Sequence, residues 1–356
     1  MKPYLAIQLS HADIVYMMAG GGDTLSVATL SLQDKDVPID EKLDAVRQSV
    51  IAGNVDRFLV TVGDLGDQSP LVYLMDWLHT WQQEYEAFVH VLGIQEDTEE
   101  HNEPNEMEKD LANVEAEAEQ LMTGFGKVTM ALLQRLGVKD LDSVVDRHGW
   151  TLLMQAANSG LYELAEGLVA RKADVNYSGT AKNAFNPLYL AVESEHTAVA
   201  LLLLEKGAIA SATKLVRTPS IGAEDGEKND TEDEDCALFQ ACRFGQFSVI
   251  KEMLARGVDV NFALPSNGDR ALHVSVMFGM QKVIELLVDD EAIDLNALNK
   301  IGQTCLFGCS CVELMKLLVT QGVDPKIEDI DGETALSMAH ALGDDEVAAF
   351  LETVAM

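Results

Sequence analysis

The sequence predicts a mainly α protein: a solenoid of about six helix-turn-helix units preceded by a small helical or α+β N-terminal domain. Three observations predict it. An apolar helix anchored on leucine returns at Leu153, Leu188, Leu238, Leu272, Leu306 and Leu336, at intervals of 35, 50, 34, 34 and 30 residues, and a period of roughly 33 residues marks stacked supersecondary units. Within a unit, a first short helix stops at glycine and a second apolar-faced helix follows at once. Finally, 356 residues with 47% hydrophobic content can bury a large core, and the length suggests about two domains.

Residues 1–93 form the expected N-terminal domain. Its early apolar stretches, YLAIQL, DIVYMMA and LSVATLSL, are compatible with a hairpin or with short helices, because runs this short do not fix a period. The later segments, PIDEKLDAVRQSVIAGNVDRFLVTVG and PLVYLMDWLHTWQQEYEAFVHVLG, have helical spacing, with Leu71, Leu74, Met75, Leu78 and Trp81 on one face. Trp77 and Trp81 stand four apart there; an amphipathic helix must bury its aromatic face, which favours core packing over a partner-binding stripe. Residues 94–120 read as an acidic linker running into a helix near Glu106 to Leu136, and residues 121–145 as a capping half-repeat.

The repeats proper span residues 146–356. The clearest unit, Asn267 to Asn299, places Ala271, Leu272, Val274, Val276 and Met277 on a first helix, ends it at Gly279, and sets Val283, Ile284, Leu286 and Leu287 at helical spacing on a second. Helices shorter than about 12 residues are marginal alone, so burial between neighbouring units must hold them. One element recurs in phase as TLLMQA (151–156), NPLYLA (186–191), CALFQA (236–241), RALHVS (270–275), TCLFGC (304–309) and TALSMA (334–339). Another recurs as LVARKADVN (168–176), LLEKGAIAS (203–211), MLARGVDVN (253–261) and LVTQGVDPK (318–326).

These elements resemble the Thr-Pro-Leu-His-x-Ala and Leu-Leu-x-x-Gly-Ala-Asp-x-Asn signatures of the ankyrin repeat family, over about three fifths of the chain. The resemblance implies a stack whose turn tips and inner helices bind other proteins, and places His273 at the position where the family ties the turn. Two departures stand out. The 50-residue interval holds an insertion at 214–235, expected as a long charged loop, and the 30-residue interval leaves the fifth unit short of part of its inner helix at LFGCSCVELMKLL.

Charge bounds the partner. With 25 basic and 59 acidic side chains the net charge is -34, half of it in two runs, Glu96 to Glu119 and Glu224 to Asp235. Such a chain repels nucleic acid and anionic membrane and attracts basic proteins. The runs themselves read either as solvated linkers or as an acidic lure for a basic partner, the second run through Glu224, Asp225, Glu227, Asp230, Glu232, Asp233, Glu234 and Asp235. No long uncharged apolar run and no secretory leader is visible, and five cysteines at low density fit a reducing compartment, so a cytoplasmic location is expected.

The sequence offers no recognisable catalytic, metal or cofactor chemistry. Cys305, Cys309 and Cys311 crowd together, but no C-x-x-C pair or neighbouring histidine accompanies them, and Cys236, Cys305 and Cys309 occupy threonine, proline and alanine positions of the repeat, where thiols serve as small apolar groups. TGFGKVT (123–129) lacks the four-residue spacer of a phosphate loop, and there is no Gly-x-Ser-x-Gly element. The leading expectation is a non-enzymatic inhibitor of a basic protein, similar to ankyrin-type immunity proteins paired with toxins. The alternatives are a scaffold, adaptor or secreted effector that recruits its target, and an enzyme with activity in residues 1–93. Within the resemblance, the variable tip and inner-helix positions are the expected partner-binding residues: Arg147, His148, Trp150, Gln155 and Asn158 in the first unit, Asp269, Arg270, Met277 and Phe278 in the fourth, Lys300 and Gln303 in the fifth.

Overall fold

The computed structural model describes residues 39–63, 68–96, 106–178, 186–211, 214–218 and 231–355. The chain divides between Asp174 and Val175 into two compact units. The early apolar stretches, and with them the choice between hairpin and short helices, lie outside the described residues, as do Glu224, Asp225, Glu227 and Asp230.

In the first unit, α1 (Ile39–Ile51) and α2 (Val55–Val62) are separated by Asn54, whose side-chain oxygen accepts the Arg57 N–H at 2.9 Å and caps α2. The long α3 (Pro70–Glu96) and α4 (Glu106–Leu136) follow, then the short pair α5 (Leu152–Asn158) and α6 (Tyr162–Ala170). Helix α4 packs against α1, α2, α3 and α6, burying Leu121, Phe125, Val128, Leu132 and Leu133. The apolar face expected on α3 is buried, and Trp77 and Trp81 both belong to the core. The glycine pair of TGFGKVT lies inside α4. A Cβ at Gly124 would stand 1.9 Å from the Val50 carbonyl oxygen, so the end of α1 rests on bare helix backbone.

The second unit stacks five repeats. Their inner elements are α7 (Pro187–Glu193), α9 (Ala237–Arg243), α11 (Ala271–Met277), a single 3-10 turn (Cys305–Gly308) and α14 (Ala335–Leu342). The outer elements are α8 (Thr197–Glu205), α10 (Phe247–Ala255), α12 (Gln281–Val288), α13 (Val312–Gln321) and α15 (Asp345–Ala355). Leu188, Leu238, Leu272 and Leu306 are buried between successive inner elements, which is the burial that helices of seven or eight residues require. A second thread joins the outer loops. The asparagines of the DVN, DVN and DLN sequences each accept a backbone N–H one repeat on: Asn176 from Ile209 at 2.9 Å, Asn261 from Asp294 at 2.8 Å, Asn296 from Asp324 at 2.7 Å. Ser211 takes that place in the second repeat, where the insertion leaves the stack.

The insertion differs from the expected charged loop. Its two ends form an antiparallel hairpin, β1 (Lys214–Thr218) with β2 (Thr231–Asp235). The register sets Lys214 opposite Asp235 and Arg217 opposite Glu232.

Candidate protein-binding surface

A turn motif, aspartate or asparagine followed three residues later by glycine, builds three of the described fingers of the stack. Asp146 accepts the N–H groups of His148 and Trp150 at 2.9 and 2.8 Å; Asn299 those of Ile301 and Gln303 at 3.1 and 3.0 Å; Asp329 those of Asp331 and Glu333, both at 3.0 Å. Gly302 and Gly332 close two of these turns at φ of 79° and 78°, a conformation open to glycine at little cost. Successive fingers are then bound edge to edge, Lys300 N–H to Asn267 oxygen at 2.9 Å and Ile330 N–H to Ile301 oxygen at 3.1 Å.

Four of the first-repeat candidates contact α3 within their own unit, Arg147 and His148 while remaining exposed. Gln155 is buried and donates to the Met75 carbonyl at 2.9 Å, so it is not on an accessible surface. Arg147 donates its backbone N–H to Asp76 at 2.9 Å and its guanidinium to Thr80 at 2.8 Å. Trp150 meets the His79 ring edge-on at a centroid distance of 5.3 Å, and His148 lies 4.2 Å from the same ring. Burial, with His148 and Arg147 alongside, lowers the His79 pKa to about 4. Asn158, half-buried, is partnered as well.

In the fourth and fifth repeats the candidates divide. Asp269, Arg270, Lys300 and Gln303 tie the fingers together: Asn299 donates to Asp269 at 3.0 Å, Gln303 to Asp329 at 3.0 Å, Arg270 Nε to the Asn261 carbonyl at 3.0 Å, and the Lys300 ammonium to the Pro265 carbonyl. The Gln303 hydrogen bond holds the Asp329 carboxyl below its ordinary range. His273 ties the neighbouring finger through Nε2 and the Gln303 carbonyl, 3.1 Å apart. Met277 and Phe278 are left open, 57% and 45% exposed.

They belong to a row that sequence reading saw only in part. Phe244, Phe278 and Leu342 occupy the same place, just before the glycine that ends an inner helix, and all three are exposed. The repeated Phe-Gly pairs in CRFGQ and VMFGM carried that information, once the repeats were compared column by column. The Arg243 guanidinium lies 5.4 Å from the Phe278 ring centroid and pairs with Asp235 at 2.9 Å. Asp235 also accepts from the Tyr189 hydroxyl at 3.3 Å, and burial, followed by Asp235, raises the Glu193 carboxyl pKa. The exposed tips Leu298, Ile301 and Ile330 add a parallel apolar line along the fingers.

Nothing in this arrangement resembles a nucleophile with its base. Burial pushes the Cys236 and Cys305 thiols up to about 12 and Cys309 to about 11, which makes them poor nucleophiles and apolar core groups. Among the described residues there is no cluster of three metal-ligating side chains, and no helix long and apolar enough to cross a membrane.

Comparison with known proteins agrees with the repeat geometry. A family model described as ankyrin repeats in three copies matches residues 121–214 and 213–299. An ankyrin repeat protein of Rickettsia bellii is 31% identical over 134 residues, which is 34% of this chain and 74% of that protein. A second, from Rickettsia felis, is 46% identical over 70 residues, 19% of this chain and 30% of that protein. The crystal structure of the human ASB11 ankyrin repeat domain aligns with a TM-score of 0.48 at 21% identity, covering 62% of this chain and 90% of that domain.

Proposed function

We propose, from the premise that this chain belongs to the ankyrin repeat family, whose repeats are protein-protein interaction modules, that it binds a basic protein and neutralises it by occupation. Charge carries this reading: the chain has a net charge of -34, and the fingers of the unit that holds the open apolar row carry Asp329, Asp331 and Glu333. An acidic surface with an apolar patch selects a partner with the opposite arrangement and speeds its capture. Met277 and Phe278 supply the contact area, and the acidic 224–235 run adds to the negative charge of the chain. The same charge disfavours nucleic acid and anionic membrane as partners. The work is done by binding, without catalysis, cofactor or metal, and a cytoplasmic location fits the free cysteines.

Native complexes isolated with the full chain test the reading. The expected outcome is one stoichiometric partner of basic isoelectric point, whose own activity falls on complex formation and whose affinity drops steeply with added salt. Several substoichiometric partners would favour a scaffold, and an acidic partner would overturn the proposal.

A further inference from the structure

We propose that the fifth repeat carries a socket for one aromatic side chain, tyrosine or tryptophan, of the protein partner. This rests on the reading of the chain as a binder of a basic protein, and adds where that partner is anchored and by which group. In the second, third, fourth and sixth repeats the inner position is an α-helix of seven or eight residues; in the fifth it is one turn, Cys305–Gly308. The shortfall leaves a cavity of about 540 Å³ whose lining joins apolar Met277, Ile301 and Phe307 to polar side chains, Asp269, Lys300 and Thr304 among them. Met277 and Ile301 are both exposed, so the cavity has an apolar wall and a solvent entrance.

The same shortfall frees a hydroxyl. In the second and sixth repeats the residue ahead of the inner helix caps it: the Asn186 side chain accepts the Tyr189 N–H at 2.7 Å, and the Thr334 hydroxyl accepts the Ser337 N–H at 3.3 Å. Thr304 stands at that position ahead of the single turn, makes no cap, and keeps a buried Oγ1 with no hydrogen-bond partner while only 2% of the residue is exposed. A buried polar atom without a partner is uncommon in a folded chain and favours a ligand that supplies one. His273, also in the lining, is different: its ring bonds to the Arg270 N–H at 3.4 Å and pairs with the Gln303 carbonyl at 3.1 Å, so its role is internal. Tyrosine and tryptophan each join a large apolar body to a single hydrogen-bonding group, which matches an apolar wall with one unpaired hydroxyl. They are also the side chains that most often anchor protein interfaces. Asp269 belongs to the lining and Gln303 of the lining holds Asp329, so lysine or arginine beside the aromatic residue completes the fit.

A random peptide library displayed against the full chain tests the socket. The expected selection is tyrosine or tryptophan within a few residues of lysine or arginine. Affinity should fall roughly tenfold or more with Gly308→Phe, whose ring fills the cavity. A Cβ at Gly308 meets nothing nearer than 3.7 Å, at Met277, so the backbone there admits a side chain, and an unchanged melting curve of the Gly308→Phe chain checks that the fold is kept. Met277→Ser, at an exposed position, should weaken the same peptides. Thr304→Val should abolish the advantage of a tyrosine peptide over its phenylalanine version. Selected peptides without an aromatic requirement, equal binding to the Gly308→Phe and Met277→Ser chains, or no selection at all would overturn the socket. Basic peptides bound without an aromatic residue would overturn it while leaving the basic-partner reading intact, whereas enrichment of acidic peptides would overturn both.

Discussion

The finger at Asp146 and the finger at Asn299 share one backbone design, in which a side-chain oxygen collects the N–H groups two and four residues on. In the first unit the residues that follow turn onto α3: Arg147 bonds to Asp76 and Thr80, Trp150 meets His79, and Gln155 reaches the Met75 carbonyl. In the second unit Lys300 and Gln303, which follow Asn299, bind neighbouring fingers, while Met277 and Phe278 at the end of α11 stay open, Met277 in the lining of a cavity. The motif therefore fixes the backbone, and the neighbouring element decides what its variable side chains touch: α3 takes Gln155 into the core and contacts Trp150, while Arg147 and His148 reach it and remain exposed. Where the fifth repeat's inner helix is lost, Met277 instead stays open on a cavity.

The strongest way to break this comparison is to place one methyl group in each region. At Gly124 the new Cβ would fall 1.9 Å from the Val50 carbonyl, and at Gly308 it would meet Met277 at an ordinary 3.7 Å. Gly124→Ala should destabilise the first unit by about 3 kcal/mol through forced separation of α1 and α4. Gly308→Ala should change stability by less than about 0.5 kcal/mol. Urea unfolding of both variants reads the difference, and an unperturbed Gly124→Ala chain would show that α1 does not rest on bare backbone.

Side-chain removal sharpens the same contrast at smaller scale. Gln155→Ala removes a buried hydrogen bond to the Met75 carbonyl and leaves a cavity, and should cost about 2 kcal/mol. Met277→Ala, on an open position, should stay within about 0.5 kcal/mol while weakening partner binding. Comparable losses in both variants would mean that Met277 is structural.

The repeat period, the helix pairs and the buried leucines were legible because each is a local pattern repeated in phase, and repetition averages out the ambiguity of a short helix. The shortened fifth repeat was legible as a missing few residues. What they leave behind, a cavity and an unpaired Thr304 hydroxyl, was not, because both depend on what neighbouring repeats place there. The side-chain fate of Gln155 was hidden for a related reason: its partner Met75 is 80 residues away, on a helix with no repeat signature. The hairpin at the base of the acidic insertion was missed because the acidic run was read without the KLVRT segment that pairs with it.

Trp150→Ala probes how firmly the first finger is held. The half-buried ring contributes an edge-on contact to His79, a geometry worth about 1 kcal/mol beyond area burial. Its removal should lower the melting temperature of the full chain and leave affinity for a partner of the second unit unchanged. Lost affinity with an unchanged melting curve would return Trp150 to the binding surface.

The smallest expected effect is on pH dependence, and it comes from His79. Burial, then the nearby His148 and Arg147, lowers its pKa from 6.5 to about 4, while the carboxylates of Asp76 and Asp146 reach the same finger through Arg147, His148 and Trp150. The unfolded chain therefore takes up this proton at higher pH than the folded one. Stability should be full above about pH 6.5, fall as pH drops toward 4, and show no further contribution from His79 below that. Because the ring is partly open to solvent, screening reduces the effect to about 1 kcal/mol or less. Asp146, whose pKa burial raises, acts in the opposite sense near the carboxylate range, so the histidine signature is cleanest in the upper half of the window. His79→Phe keeps a ring against Trp150 and His148 and removes the titrating group. Its stability should decline less than that of the natural chain as pH falls through this interval, and identical pH profiles for the two chains would place the finger's response on other groups.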